Sequence, residues 1–295
     1  LCDSDMRKLF KQHTIAMVYD FDGTLSPQPM QEYTVLPELG VSPQAFWDEC
    51  QQEAKKYNAD AMLTYMRLLT EKIEAKQTHL NKKKLRNLAK SIRYFPGVET
   101  WFDRINRHVR DTSAGKIKIK HYIISAGLKE ILEGIKIRKY FERMYASEYY
   151  FDHHDAARFP TVVINDTSKT QYIFRINKGI EDINQSINDY MPECERPIPF
   201  ENMLYIGDGL TDVPCMTVTK NNGGFALAVY KPRNPQSLAV CRKLARANRI
   251  DYFAPADYQA GKTLERRVKL ILDVIMARIM FHREQFTFQR GIDMP

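Results

Sequence analysis

Two sets of carboxylates stand at the ends of apolar runs, and they are the first residues in the chain that could do chemistry. Residues 15–21 read IAMVYDF, a run of strand length that stops at Asp22-Gly23. In Asp20-Phe21-Asp22-Gly23-Thr24 the two acids are two residues apart, so on an extended chain both face one side, roughly 7 Å apart. The Gly23 turn then lets the second carboxylate lean over whatever the first one touches. A second set, Gly207-Asp208-Gly209-Leu210-Thr211-Asp212, follows the run MLYI and places two more acids four residues apart around a turn. Four acids at one edge repel strongly unless a divalent cation neutralises them, and oxygen-only ligands favour Mg2+ over zinc or copper. Taken alone, either segment reads equally as a polar turn. Two such turns on strands of one sheet do not.

A third segment, Ser125-Ala126-Gly127, closes the run YII. A hydroxyl followed by small residues leaves backbone N–H groups open to an anion at the start of the next helix. Singly this is a weak signal, because many strands end in Ser or Gly.

The elements that must position these groups follow from hydrophobic period. Apolar runs at 15–21, 122–124 (after the alternating 116–120), 203–206 and 225–229 suit strands buried on both faces of a parallel sheet. Segments 98–109, 128–140 and 170–190 have helical period, and alternation of the two types predicts an open α/β sheet. Ligands in such a sheet sit at its carboxyl edge, where both acidic sets lie. From 29 to 94 no strand signal is found. Ser42-Pro43 suits a helix start, with Phe46, Trp47, Cys50, Ala54 and Tyr57 on one face. Asp60 can cap a second helix bearing Met62, Tyr65, Met66, Leu69 and Ile73, and a lysine-rich third covers 81–91. The expected organisation is an α/β core of 1–28 and 95–295, with a helical module of 29–94 inserted and Pro96-Gly97 marking the return.

The order D-x-D-G-T, then strand-Ser, then Lys, then G-D-x-x-x-D resembles the haloacid dehalogenase-like (HAD) superfamily. Within it, GDGLTDVPCM is similar to the corresponding segment of phosphoserine-phosphatase-type members. The resemblance covers most of 15–229. It implies a Rossmann-like parallel core with an α-helical cap and hydrolysis of a small phosphorylated metabolite. Asp20 would be the nucleophile that forms an aspartyl-phosphate, and Asp22 the acid and base. Asp20, Asp22 (through its backbone carbonyl), Asp208 and Asp212 would serve the Mg2+ site. Ser125, Ala126, Thr24 and a lysine would contact the phosphoryl group. Asp22 separates phosphatases and phosphomutases from dehalogenase and ATPase members, which lack Asp there. For the lysine, Lys169 at a helix start is preferred over Lys178, nine residues further along; a mid-helix lysine is by default solvated. A phosphomutase with the same two aspartates is the alternative within the superfamily.

Composition bounds the remaining classes. The 295 residues are 44% hydrophobic and 27% charged, which excludes disorder over most of the chain. Net charge is +8, and 75–98 and 231–250 carry seven and six Lys or Arg with no acid. Nucleic-acid binding on a HAD scaffold is one reading of these stretches. Solvated helix faces are the preferred one, because no aromatic-interleaved or zinc motif accompanies them. The amino terminus lacks the apolar core of a signal peptide, and 270–281 is broken by Asp273 and Arg278, so a cytoplasmic, non-membrane protein is expected. The chain starts at Leu1 rather than a methionine, which suggests trimming. Five scattered cysteines without C-x-x-C fit reduced thiols. His153, His154 and Asp155 are expected at a hairpin tip between 145–151 and 161–165, not on a metal. Trp47, Met62, Tyr65 and Met66 could line a substrate pocket beneath the cap, but at helical spacing they are expected to pack, and Cys215 to be a buried thiol. Oligomeric state is not readable.

Overall fold

A computed structural model describes residues 10–78 and 80–292. Cys2, most of the amino-terminal reading and the last residues of the tail lie outside them. Seven strands form one sheet in the order β4-β3-β2-β1-β5-β6-β7. They are β1 (Thr14–Tyr19), β2 (Lys118–Leu128), β3 (Phe141–Phe151), β4 (Ala157–Val162), β5 (Met203–Gly207), β6 (Phe225–Tyr230) and β7 (Tyr252–Pro255). All neighbours pair in parallel except β3 and β4, the antiparallel hairpin. This is the parallel α/β core expected of the sequence.

Between β1 and β2 lie α1 (Met30–Tyr33), α2 (Val35–Leu39), α3 (Pro43–Tyr57), α4 (Ala61–Ala75), α5 (Lys82–Leu88) and α6 (Val98–Thr112). Asp60 accepts the amides of Met62 and Leu63, and Asn81 that of Lys84, so each side chain satisfies donors that a helix start leaves free. After β2 come α7 (Lys129–Leu132), α8 (Lys169–Lys178), α9 (Val213–Asn221), α10 (Pro235–Arg246) and α11 (Thr263–Ile292).

The sheet's two faces bury separate apolar clusters. Along β1, Ile15, Met17 and Tyr19 join one; Ala16 and Val18 join the other. This alternation is the pleat of a strand covered on both sides. Behind the end of β1, Trp101 Nε1 donates to Tyr19 Oη (3.0 Å), which lies 3.2 Å from His121 Nδ1; His121 Nε2 lies 2.7 Å from Asn106 Oδ1. Burial lowers the His121 pKa to about 3, so the ring stays neutral and joins β1, β2 and α6 as a hydrogen-bonded chain.

Several expectations are corrected. Only Lys129–Leu132 and a 3-10 turn at Arg138–Tyr140 are helical within 128–140. The helix predicted over 170–190 ends at Lys178, where Gly179 adopts φ 67° and its N–H closes the last turn. Tyr57 is 61% exposed rather than on the buried face of α3. Cys50, Cys215 and Cys241 are free and buried, but Cys194 is disulfide-bonded, which departs from uniformly reduced thiols. His153 and His154 do lie in the β3–β4 turn, and both are exposed. No described helix is long and apolar enough to cross a membrane.

Candidate active site

Strand order sets the location. From β1 the chain crosses to β2 and β3 on one side, while β5, β6 and β7 lie on the other, so β1 and β5 flank the switch point where open parallel sheets bind ligands. Asp20 follows β1 and its N–H donates to Ile206 O on β5 at 2.9 Å. Asp208 follows β5. The two acidic segments, far apart in sequence, therefore end side by side.

Carboxylate oxygens of Asp20, Asp208 and Asp212 come within 4.8 Å of one another. Two glycines make this approach possible. Gly23 has φ +83°, and a Cβ there would lie 2.2 Å from Asp208 Oδ2; a Cβ on Gly207 would lie 2.2 Å from Asp212 Oδ2. Asp212 is wholly buried. Its Oδ2 accepts Asp208 N–H (3.1 Å), while Oδ1 accepts Tyr205 Oη (2.7 Å) and Lys169 Nζ (2.8 Å). Lys169 also donates to Asp20 Oδ1 at 2.8 Å. One buried ammonium thus bridges two carboxylates.

The turn before α8 places that lysine. Asn165 Oδ1 accepts Ser168 N–H, and Ser168 Oγ accepts Asn165 N–H, so 165–168 closes on itself and starts the helix at Lys169. Lys178 lies elsewhere, donating to Ile187 O and Asp189 O. Asp22 is half-buried and its Oδ1 accepts Met30 N–H at 2.8 Å. Ser125 is buried and its Oγ accepts Gly127 N–H (3.0 Å), which leaves the hydroxyl proton free to donate. Ala126 O accepts Ser147 Oγ (3.2 Å) and Tyr65 Oη (3.3 Å). Thr24 is wholly buried, its Oγ1 has no hydrogen-bond partner among the described residues, and its carbonyl accepts Tyr258 Oη at 2.7 Å. The structure therefore gathers Asp20, Asp208, Asp212 and Lys169 through direct contacts, and leaves Thr24 outside that network.

The electrostatics follow from burial. Burial lifts the Asp20 carboxyl to about 6, against the pull of Lys169 and with the push of Asp212. Asp22 is raised well above the ordinary carboxylate range by burial and then by the Asp20 charge. Asp208 is raised by burial, Asp20 and Asp212. Burial opposes the Lys169 ammonium, but Asp20 and Asp212 override it and hold the lysine charged. So one cation faces three crowded carboxylates, with a fourth beside them. An oxygen-only set with uncompensated negative charge fits a hard divalent cation such as Mg2+. For Asp212 the fit is least direct, because both of its oxygens already accept hydrogen bonds.

A family model described as haloacid dehalogenase-like hydrolase matches residues 17–217. This chain belongs to that family. A Borreliella burgdorferi protein that bears the name uncharacterized protein is 30% identical over 278 residues, covering 86% of this chain and 95% of its own. Among solved structures, a HAD family hydrolase from Salmonella enterica serovar Typhi superposes with TM-score 0.55 at 18% identity, over 84% of this chain and 69% of that one. A phosphoserine phosphatase captured as a phospho-aspartyl intermediate analogue gives TM-score 0.53 at 16% identity, over 88% and 99%. At these identities the structures establish the shared fold.

One residue of this HAD hydrolase, Tyr205, is not singled out for the site by its sequence. Tyr205 sits in an apolar strand run and reads as core. Tyr65 packs in the core as expected, and its hydroxyl in addition meets the Ala126 carbonyl, with Gln31 Nε2 3.4 Å from the same hydroxyl. An aromatic at helical spacing carries no sign of where its hydroxyl ends.

Proposed function

We propose that the protein is a Mg2+-dependent phosphomonoester hydrolase acting through an aspartyl-phosphate on Asp20, with a small phosphorylated metabolite as substrate. In this reading 29–94 is a cap over a core of 1–28 and 95–295. The observation that carries it is Lys169 Nζ held 2.8 Å from both Asp20 and Asp212, beside Asp208, at the switch point of the sheet. The phosphatase activity of the fold neighbours supports the same reading by analogy.

The chain's own groups suit each step. An Asp20 Oδ–phosphorus bond forms as the phosphorus–oxygen bond to the leaving group breaks. Asp22, its carboxyl raised by burial, carries the proton that the leaving oxygen needs. Water then attacks phosphorus, Asp22 takes back a proton, and the Asp20 carboxylate is released with inorganic phosphate. Lys169 offsets the charge that builds when a carboxylate approaches a phosphate dianion, and the Ser125 hydroxyl together with the Ala126 N–H would bind the phosphoryl oxygens. Asp20, Asp208 and the Asp22 carbonyl, with Asp212 close by, would hold Mg2+, which supplies further neutralisation of the transferring group. Helices α1–α4, which bring the Tyr65 hydroxyl, itself held by Gln31, against the Ala126 carbonyl, would keep bulk water out during the first step.

The test is phosphate release from a panel of phosphorylated metabolites, with Mg2+ or EDTA, by the parent and by Asp20→Asn. Turnover that needs both Mg2+ and Asp20 supports the proposal. No release from any compound by a folded, Mg2+-supplied protein rejects it. Phosphoryl return to substrate without net release would instead identify a mutase.

A further inference from the structure

We infer that Tyr205 is a positioning residue: by donating to Asp212 it keeps the Lys169 ammonium on Asp20. Its neighbours on β5, Met203, Leu204 and Ile206, are apolar and fully buried. A hydroxyl at such depth costs stability unless it is paired. Here it donates to Asp212 Oδ1 at 2.7 Å, with the Cys215 thiol also against the hydroxyl, and the same carboxylate oxygen accepts Lys169 Nζ at 2.8 Å. Tyr205 and Asp212 are both wholly buried and Lys169 nearly so, which keeps all three groups out of contact with bulk water.

The consequence is a balance of pulls on one ammonium. Lys169 sits between Asp20 Oδ1 and Asp212 Oδ1 at equal distance, 2.8 Å each. The Tyr205 hydroxyl takes up part of the negative charge on Asp212 Oδ1. Without it that oxygen has the lysine as its sole donor, and the ammonium is drawn toward Asp212 and away from the nucleophile. The charge meant for the transferring phosphoryl group is then misplaced, while substrate contacts made by the 125–127 loop are untouched.

Tyr205→Phe removes the hydroxyl and keeps the ring that fills the core, so folding is preserved. The inference rests on Asp20 as nucleophile for its kinetic part only. Expected is a kcat about tenfold lower or more with KM within about twofold, since a hydrogen bond to a charged group is worth roughly that factor. If Tyr205 acts through Asp212, adding Tyr205→Phe to Asp212→Asn slows the enzyme no further than Asp212→Asn alone. A crystal structure of Tyr205→Phe should show Lys169 Nζ out of hydrogen-bond reach of Asp20. The inference is overturned if Lys169 keeps both contacts, if kcat stays within about twofold of the parent, or if the two substitutions multiply. Should the parent release no phosphate, the phosphatase reading fails separately and the crystal structure alone decides the role of Tyr205.

Discussion

Replacing Lys169 by methionine isolates the charge balance on which the site depends. The side chain is 2% exposed and its ammonium contacts Asp20 and Asp212 at 2.8 Å each. Methionine fills much of the same volume, so the loss is electrostatic. Removing one partner of a buried ion pair costs about 3–5 kcal/mol, because the remaining charges stay buried and unpaired. At roughly 2–4 °C per kcal/mol for a chain of this size, Tm should fall by about 6–20 °C in EDTA at neutral pH or above. The pH dependence fixes the cause. In the parent Asp20 is already raised from 3.8 to about 6. A folded-state pKa above the unfolded one gives stability that is present below the unfolded value and is lost as pH rises through the folded value. Without Lys169 the folded value climbs further, so the penalty should be small near pH 4, where both proteins hold the proton, and largest near pH 8, on the order of the full 3–5 kcal/mol. Urea or thermal unfolding of both proteins across this range measures it, and added Mg2+ should recover part of the loss. A variant within about 1 kcal/mol of the parent near pH 8, or a penalty that does not vary with pH, would refute the reasoning.

Three further outcomes are expected. Lys178→Ala should keep kcat within about twofold and cost about 1 kcal/mol of stability, because its ammonium holds only the carbonyls of Ile187 and Asp189; steady-state kinetics and Tm check it. Gly207→Ala should lower kcat about tenfold or more, since its Cβ would lie 2.2 Å from Asp212 Oδ2 and force that carboxylate off the Asp208 amide; kinetics and a Mg2+ titration read this out. On the acid side, kcat/KM should fall as pH drops through the Asp20 value, about 6 without metal. A bound cation favours the carboxylate, so raising Mg2+ from limiting to saturating should move that limb to lower pH, and an unmoved limb would contradict Asp20 as a ligand.

Much of the site was legible because its parts are local in sequence. An apolar run ending in two acids states both a buried strand and what stands at its end, and the β1 and β5 segments each carry that message. What the sequence does not state is which strands are neighbours. That Asp20 and Asp208 meet depends on β1 pairing with β5 across almost two hundred residues, a consequence of sheet topology rather than of any local pattern. Helix length past Gly179 was overestimated because the apolar spacing of 170–178 continues weakly into 180–190, while the chain itself is turned by a left-handed glycine. Tyr205 reads from sequence as core alone, because hydrophobic period accounts for a ring but is silent about its hydroxyl.

Rapid acid quench of the parent during turnover, followed by peptide mass spectrometry, tests the central claim most directly. The account predicts a phosphoryl adduct on the peptide containing Asp20, labile to hydroxylamine, formed only with Mg2+ and absent from Asp20→Asn, which should release no phosphate. Phosphate release by Asp20→Asn at the parental rate, with no adduct on the parent at any time, would contradict it.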